Sequence, residues 1–295
     1  MTDRLAYAKI NLFLDIKGIR EDGYHNIVSV MQTINWADRI SLQSKAAPGI
    51  RLTCSDPSIP TDRSNTAYRA AEVFFAKLGS TNGLHIHIEK NIPSSAGLAG
   101  GSADAAAVLL GMNELMGEPF SSSALLEMGA TIGADVPFCM IGGTQLTKGI
   151  GDVIEPFPPM PSCHLVCAKI GDGVSTPEAY RAIDAQNDFF KIPSVKWDKL
   201  TQLRNGFQHD NPKCLSDGLF NIFEATIEKT HPGVSLIKST LLAAGADVAM
   251  MSGSGPSVFG VFENPEHAHM ACDKLCAMGA HCAVCAPVPQ YGGTK

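Results

Sequence analysis

One stretch of small residues has the composition of an anion-binding loop. Residues 93–107 read PSSAGLAGGSADAAA, so a loop runs directly into an alanine-rich helix. With few side chains in the way, the backbone N–H groups of residues 97–102 can point at one acceptor, and the helix N-terminus adds partial positive charge. No Walker A or GxGxxG pattern is present. The stretch indicates a phosphate cradle, although a turn that only packs a helix closely on a strand would leave the same pattern.

Two further glycine clusters accompany this loop. Residues 252–257 read SGSGPS between two apolar runs, which alone is compatible with a tight turn and gains weight beside the first loop. Residues 142–152, GGTQLTKGIGD, follow the segment GADVPF, where Asp135 has apolar neighbours. An acid in that setting is either a hydrogen-bonded structural carboxylate or a base kept in a dry site.

The overall charge requires local binding of any phosphate ligand. The 295 residues include 28 glycines, and 23 basic against 29 acidic residues give a net charge of −6. No run of Lys and Arg is suited to nucleic acid or to an anionic membrane, so we expect neither partner. With 45% hydrophobic residues, the chain is expected to fold, and its length suits one large domain or two ordinary ones.

Neither a targeting signal nor a membrane span is expected. Charges at Asp3, Arg4 and Lys9 interrupt the N-terminus, and no apolar segment is long enough to cross a bilayer, so we predict a cytoplasmic protein. The nine cysteines mostly have apolar neighbours and are interpreted as reduced thiols. Cys282 and Cys285 form a CxxC without a second ligand pair, which leaves a structural zinc as the minor alternative.

The elements that must position these residues follow from periodicity. Residues 5–16 alternate as in a strand, which places Lys9 and Asn11 on one face, opposite an apolar face. The segments 67–78 and 103–116 are predicted as helices, with Ser64 or Asn65 capping the first and Ser102 the second.

The chain is predicted to be a two-domain α+β protein. Helices and strands alternate irregularly, without a βαβ series or an internal repeat. Residues 156–162 contain four prolines in seven positions and are the best candidate for a domain connection. The predicted domains are residues 1–158 and 159–295.

Taken together, these stretches resemble the GHMP kinases. The loop at 93–107 and the segment at 252–257 carry the resemblance, and it extends through residues 8–38 and 133–156. It implies an N-terminal domain like ribosomal protein S5 domain 2 and a ferredoxin-like C-terminal domain, with ATP and substrate in the cleft between them.

The resemblance also implies a reaction. The ATP γ-phosphoryl group would be transferred to the 2-hydroxyl of 4-diphosphocytidyl-2-C-methyl-D-erythritol, a step toward isopentenyl diphosphate in the non-mevalonate pathway. A kinase of homoserine or mevalonate is the alternative within the family, and the DGYH segment at 22–25 argues against it because those substrates have no cytosine. A ligand-binding protein without activity is the other alternative, and it would need no general base.

The catalytic and nucleotide-binding residues are carried over by position. Asp135 matches the family's general base, and Lys9 matches the catalytic lysine that would keep Asp135 ionised and stabilise the transferring phosphoryl group. Asn65 is expected near the adenine, although an Asn before a helix is also an ordinary N-cap. The expected phosphate-loop residues are Pro93, Ser94, Ser95, Ala96, Gly97, Leu98, Ala99, Gly100, Gly101, Ser102 and Ala103.

The substrate residues and the metal complete the prediction. Tyr24 and His25 match positions that hold the cytosine, Asn11 matches a substrate contact, and Thr176 either borders the substrate or is a plain turn residue. Mg²⁺ is expected as cofactor with ATP, its protein ligands left open because Ala103 follows Ser102 where many GHMP kinases have a second serine. We expect a small-molecule substrate and a monomer or homodimer.

Overall fold

A computed structural model describes residues 1–186, 195–209 and 214–291 of the chain. It contains two β-sheets with helices packed on them. In chain order the elements are β1 Thr2–Ile19, β2 His25–Lys45, β3 Gly49–Cys54, α1 Thr66–Leu78, β4 Gly83–Glu89, α2 Gly100–Leu115, α3 Ser122–Ile132, α4 Val136–Ile141, β5 Thr144–Gly149, β6 Val153–Pro156, β7 His164–Lys169, α5 Thr176–Asp184, α6 Trp197–Gln208, α7 Cys214–Gly218, β8 Phe220–Asn221, α8 Glu224–Ile227, α9 Pro232–Ala243, β9 Val248–Met251, β10 Val258–Phe262, α10 Pro265–Ala277 and β11 His281–Cys285.

The first sheet is built on the long antiparallel pair of β1 and β2. Strand β4 pairs with the C-terminal half of β2 and β5 with its N-terminal half, while β3 runs parallel to β4 and β6 closes a hairpin with β5. Helices α1 to α4 contribute apolar side chains to a core that includes Ile40, Ile86, Phe74 and Leu109. The alternation in residues 5–16 predicted this strand, and the structure confirms it as the central part of β1.

The second sheet has the antiparallel order β11, β7, β10, β9. Helices α9 and α10 supply apolar side chains such as Ile237 and Leu275 to the core on one of its faces. A separate core joins the two sheets, since Ile10 and Leu12 of β1 pack in one cluster with Leu165 of β7 and Phe259 of β10.

The chain crosses between the two sheets more than once. The segment at 156–162 connects β6 of the first sheet to β7 of the second, and β8 then returns to pair in parallel with β1. After β11 the chain returns again, because the Asn35 backbone N–H donates to the Ala286 carbonyl at 3.1 Å and the Val288 N–H donates to the Thr33 carbonyl at 2.8 Å. The predicted division of the chain at residue 158 stays a prediction.

Two predicted helix caps had different outcomes. The Asn65 side chain accepts the Ala67 backbone N–H at 2.8 Å, which confirms it as the N-cap of α1. Ser102 as the cap of α2 was wrong, because that helix begins earlier, at Gly100, and Ala99 occupies the N-cap position. Ala99 has a left-handed backbone (φ 56°), which marks the start of the helix, so Gly100 and Gly101 belong to α2 and not to the loop.

Candidate active site

A cleft of about 920 Å³ brings nearly all of the predicted site residues together. The predicted residues that line it are Lys9, Asn11, Tyr24, His25, Asn65, Pro93, Ser94, Ser95, Ala96, Gly97, Ala99, Gly100, Gly101, Ser102, Asp135 and Thr176. The side chains of Leu98 and Ala103 do not line it and are buried in the hydrophobic cores. The Ala103 side chain therefore points away from the cleft, whereas the neighbouring Ser102 lines it.

Lys9 lies at the centre of the polar part of the cleft. Its Nζ atom donates to Asn11 Oδ1 at 2.7 Å and to the Gly97 carbonyl at 3.1 Å, and lies 3.7 Å from Asp135 Oδ2. The Lys9 side chain is 6% exposed and that of Asp135 is 30% exposed. The ammonium is thus held by the chain on one side, while the carboxylate remains reachable from the cleft.

Irregularities in β1 aim Lys9 and Asn11 at this point. The register between β1 and β2 shifts after Tyr7 and again after Asn11, so bulges flank both residues. Bulges bend a strand and redirect its side chains, and they are common beside active sites. The Lys9 backbone N–H donates to the Leu98 carbonyl at 3.1 Å, so the strand also holds the glycine-rich loop.

The glycine-rich loop at 93–107 meets the turn at 252–257 at Gly97. Ser252 Oγ donates to the Gly97 carbonyl at 3.1 Å and accepts the Asn11 backbone N–H at 3.2 Å. A Cβ at Gly97 would lie 2.3 Å from the Ser252 carbonyl oxygen, and Gly97 has φ +74°. Only glycine fits both constraints. The turn at 252–257 therefore supports the loop, and its Gly253 and Ser254 line the cleft.

Helix α2 begins at the cleft without a side-chain cap. Ala99 cannot accept a hydrogen bond from the first turn through its side chain, and no such bond caps the helix. The first N–H groups of a helix have no intrahelical acceptor and carry partial positive charge. An uncapped N-terminus lined by Gly100, Gly101 and Ser102 can bind phosphate oxygens through the main chain.

A buried ion network lies beneath this loop. Lys90 Nζ donates to Asp104 Oδ2 at 2.8 Å and also pairs with Asp38, whose other oxygen accepts the backbone N–H groups of Asn91 and Ile92. Burial raises the pKa of Asp104 to about 7, and the negative charge of Asp38 adds to this effect, while the Lys90 ammonium opposes it. The network fixes the chain just before the loop, and sequence reasoning missed it because the three residues come from separate elements.

Aromatic side chains form a second group in the lining of the cleft, which we call the aromatic end. The His25 ring lies on the Tyr180 ring with centroids 4.5 Å apart, and His25 Nε2 is 2.8 Å from Asp184 Oδ1. Tyr24 is 63% exposed and lines the same cleft. Burial raises the pKa of Tyr180, so its hydroxyl stays protonated.

Sequence reasoning missed Tyr180 and Asp184, although a signal was available. Thr176, Tyr180 and Asp184 are spaced by four along α5 and therefore lie on one face of that helix. Thr176 Oγ1 lies 3.1 Å from Ser254 Oγ, which joins the helix to the glycine turn. The face that carries Thr176 thus supplies a wall of the cleft.

The fold is that of a GHMP kinase, and the chain belongs to this family. The family model described as "GHMP kinases N terminal domain" matches residues 65–143, and "GHMP kinases C terminal" matches residues 203–281. A homoserine kinase from Cytophaga hutchinsonii has the same fold, with a TM-score of 0.74 at 21% identity over 98% of this chain and 95% of that one. The expected two-domain α+β fold is confirmed.

Several relatives within the family are kinases of one kind. A 4-diphosphocytidyl-2-C-methyl-D-erythritol kinase from Caldicellulosiruptor bescii is 41% identical over 92% of each chain, and one from Desulfitobacterium hafniense is 44% identical over 90% of this chain and 89% of its own. A crystal structure of 4-(cytidine 5'-diphospho)-2C-methyl-D-erythritol kinase has a TM-score of 0.80 at 31% identity, covering 99% of this chain and all of its own. The chain belongs to the 4-diphosphocytidyl-2-C-methyl-D-erythritol kinases.

The described residues also bear on the membrane prediction. Among them, no helix has both the length and the apolar character needed to span a bilayer.

Proposed function

We propose that this chain transfers the γ-phosphoryl group of ATP to the 2-hydroxyl of 4-diphosphocytidyl-2-C-methyl-D-erythritol, giving the 2-phosphate and ADP. The observation that carries the proposal is a single cleft with an uncapped helix N-terminus, a Lys9–Asp135 pair and a set of aromatic rings around it. The names of the relatives supply the substrate. A step in isoprenoid precursor synthesis is consistent with that substrate.

The main chain of the loop would hold the ATP phosphates. Phosphoryl transfer depends on positioning and on charge stabilisation more than on covalent chemistry. The N–H groups at Gly100, Gly101 and Ser102 provide donors whose positions are set by α2. Asn65 lines the cleft beside α1, where we place the adenine, and its Oδ1 is already used as the helix cap.

Asp135 would accept the proton of the attacking hydroxyl. The carboxylate lies at the N-terminus of α4 and remains partly exposed to the cleft. Lys9 stands between it and the Gly97 carbonyl, so the ammonium can compensate negative charge on both the base and the transferring group. The roles are distinct because Lys9 donates only, while Asp135 as an ionised carboxylate only accepts.

The cytosine would bind at the aromatic end. Tyr24 and Tyr180 offer aromatic rings for stacking, and the His25 ring lies on that of Tyr180 at the same place in the cleft. Asp184 bonds His25 and orients its ring. Thr176 and Asn11 line the same cleft, and we place the erythritol beside them.

Magnesium fits the oxygen donors present, and its binding stays a prediction. Ser102 Oγ lies 3.8 Å from the position a Cβ would take at Gly133, so this hydroxyl is beside the segment that carries Asp135. Mg²⁺ prefers oxygen ligands and keeps several waters, so phosphate oxygens and one or two protein oxygens would suffice to hold the ion. The ion would neutralise charge on the phosphates. A cytoplasmic location and a monomeric or homodimeric state also stay predictions.

A coupled assay of ADP release tests the function. Purified protein with ATP and Mg²⁺ is expected to release ADP with 4-diphosphocytidyl-2-C-methyl-D-erythritol and not with homoserine or mevalonate. NMR of the product should show the new phosphate on the 2-hydroxyl. Activity with homoserine or mevalonate alone would reject the proposed substrate, and binding of the cytidyl compound without turnover would reject catalysis.

A further inference from the structure

Three cysteine side chains converge away from the cleft. Cys272 and Cys276 lie on α10 and Cys282 lies on β11, and their Sγ atoms are all within 4.8 Å of one another. None of the three lines the cleft. Cys272 and Cys282 are half-buried and Cys276 is exposed, so the group is open to solvent on one side.

The secondary structure accounts for this convergence. Residues four apart on a helix share a face, which places Cys272 and Cys276 together. A short turn then leads from α10 into β11, where Cys282 pairs in register with Ala168 of β7. Cys272 and Cys282 both pack against the core between α10 and the second sheet.

The CxxC pair, by contrast, is split by the strand. Cys285 is 3% exposed and belongs to the core on the opposite face, with Cys167. Side chains three apart on a strand point to opposite faces. The thiols near Cys282 are therefore those of α10, and the CxxC itself is not a ligand pair.

The sulfur content of the cluster suits a soft cation. Three cysteine sulfurs within 4.8 Å of one another can supply three of the four ligands of a tetrahedral zinc site. Cysteine ligates a metal as the thiolate, so metal binding and loss of the thiol protons are linked.

We propose that Cys272, Cys276 and Cys282 form a binding site for Zn²⁺. Zinc–sulfur bonds of about 2.3 Å put two sulfurs of a tetrahedral site about 3.8 Å apart, so movements of about 1 Å would complete the site. The thiol protons leave to solvent as the metal binds. The metal would tie α10 to the edge strand β11.

His269 is the protein candidate for the fourth ligand. It lies three residues before Cys272 on α10, and its Nδ1 is 2.7 Å from the Pro265 carbonyl oxygen. Zinc-binding histidines commonly donate one ring N–H to a carbonyl, which leaves the other nitrogen for the metal. Rotation of this side chain, or a water molecule, would fill the position.

Metal titration of the whole protein tests the site. The protein is reduced with a phosphine, treated with a chelator and titrated with Co²⁺. We expect one equivalent to bind with a sulfur-to-cobalt charge-transfer band, and Zn²⁺ to displace it. Absence of Zn²⁺ binding at micromolar concentration would overturn the proposal, because built thiolate sites bind Zn²⁺ well below that range.

Matched variants identify the ligands. Cys276→Ser changes an exposed side chain and is expected to keep the fold while weakening Co²⁺ binding by at least about tenfold. Cys54→Ser on β3, a half-buried cysteine of the other sheet, should leave binding unchanged. Equal binding in both variants would overturn the assignment. The proposal would also be overturned if the reduced protein took up no metal while Cys272 and Cys276 formed a disulfide in air.

Discussion

Lys9 Nζ lies 3.7 Å from Asp135 Oδ2, although one residue comes from the first strand and the other from the N-terminus of α4. The same ammonium donates to the Gly97 carbonyl of the phosphate loop. One cation therefore contacts both the proposed base and the loop that would hold the nucleotide. Replacing Asp135 leaves the hydrogen bond between Lys9 and the Gly97 carbonyl in place, so the role of the base can be tested apart from nucleotide binding.

Replacing Asp135 with asparagine should impair turnover selectively. We expect kcat to fall by a factor on the order of 10² to 10⁴, the range typical for loss of a general base. ATP affinity, measured by fluorescence titration, should remain close to that of the parent protein. A folded Asp135→Asn variant with near-normal kcat would remove Asp135 from the mechanism.

Replacing Tyr24 with alanine should affect one substrate only. Tyr24 is 63% exposed, so the substitution costs little stability and removes a ring face from the aromatic end of the cleft. We expect the apparent KM for the cytidyl substrate to rise while that for ATP stays unchanged, measured by varying each substrate in turn. Equal increases in both constants would show that Tyr24 does not contact the base.

Gly97→Ala should damage the phosphate loop. Its Cβ would lie 2.3 Å from the Ser252 carbonyl oxygen, and the backbone has φ +74°. We expect weaker ATP binding and a lower melting temperature. Gly117→Ala is the matched control, because Gly117 has φ +80° and open space around it, so it tests the backbone strain alone. Equal effects of the two changes on ATP binding would contradict the role of the Gly97 contact.

Asp104→Asn should change the pH dependence of stability. The pKa of Asp104 is about 7 in the folded protein against an ordinary value of 3.8, so between these values the folded state holds a proton that the unfolded state has lost. Stability is thus lost as pH rises from about 4 to about 7, and the asparagine variant should lack this part of the slope. Urea midpoints across that range measure it. Identical slopes in the two proteins would contradict the raised pKa.

The sequence pattern placed Lys9 and Asn11 together more readily than it placed the residues of the aromatic end. Strand alternation placed Lys9 and Asn11 on one face, and the structure joins them by a 2.7 Å hydrogen bond. The face of a strand on which a side chain lies is a local property of the chain. The spacing by four along α5 places Tyr180 on one face with Thr176, but its contact with His25 depends on how distant parts of the chain pack together, which that spacing does not encode.

The cysteines and the second helix show the limits of pattern reading. The CxxC drew attention to Cys285, but strand geometry places that residue in the opposite core. The α2 cap was misplaced at Ser102 because serine is a strong cap in isolation. Here a left-handed Ala99 begins the helix without a side-chain cap, and the open N–H groups are left for a ligand.

The repeated crossing of the chain between its two sheets has a consequence for unfolding. Strand β8 pairs with β1, and the segment after β11 pairs again with the first sheet near Ile34. Neither sheet can melt without releasing strands or core residues of the other, as the shared cluster around Ile10 and Phe259 also requires. Calorimetry should therefore show one cooperative transition, with calorimetric and van't Hoff enthalpies in agreement. Strand β1, which carries Lys9 into the cleft, is then expected to unfold only when the whole molecule unfolds.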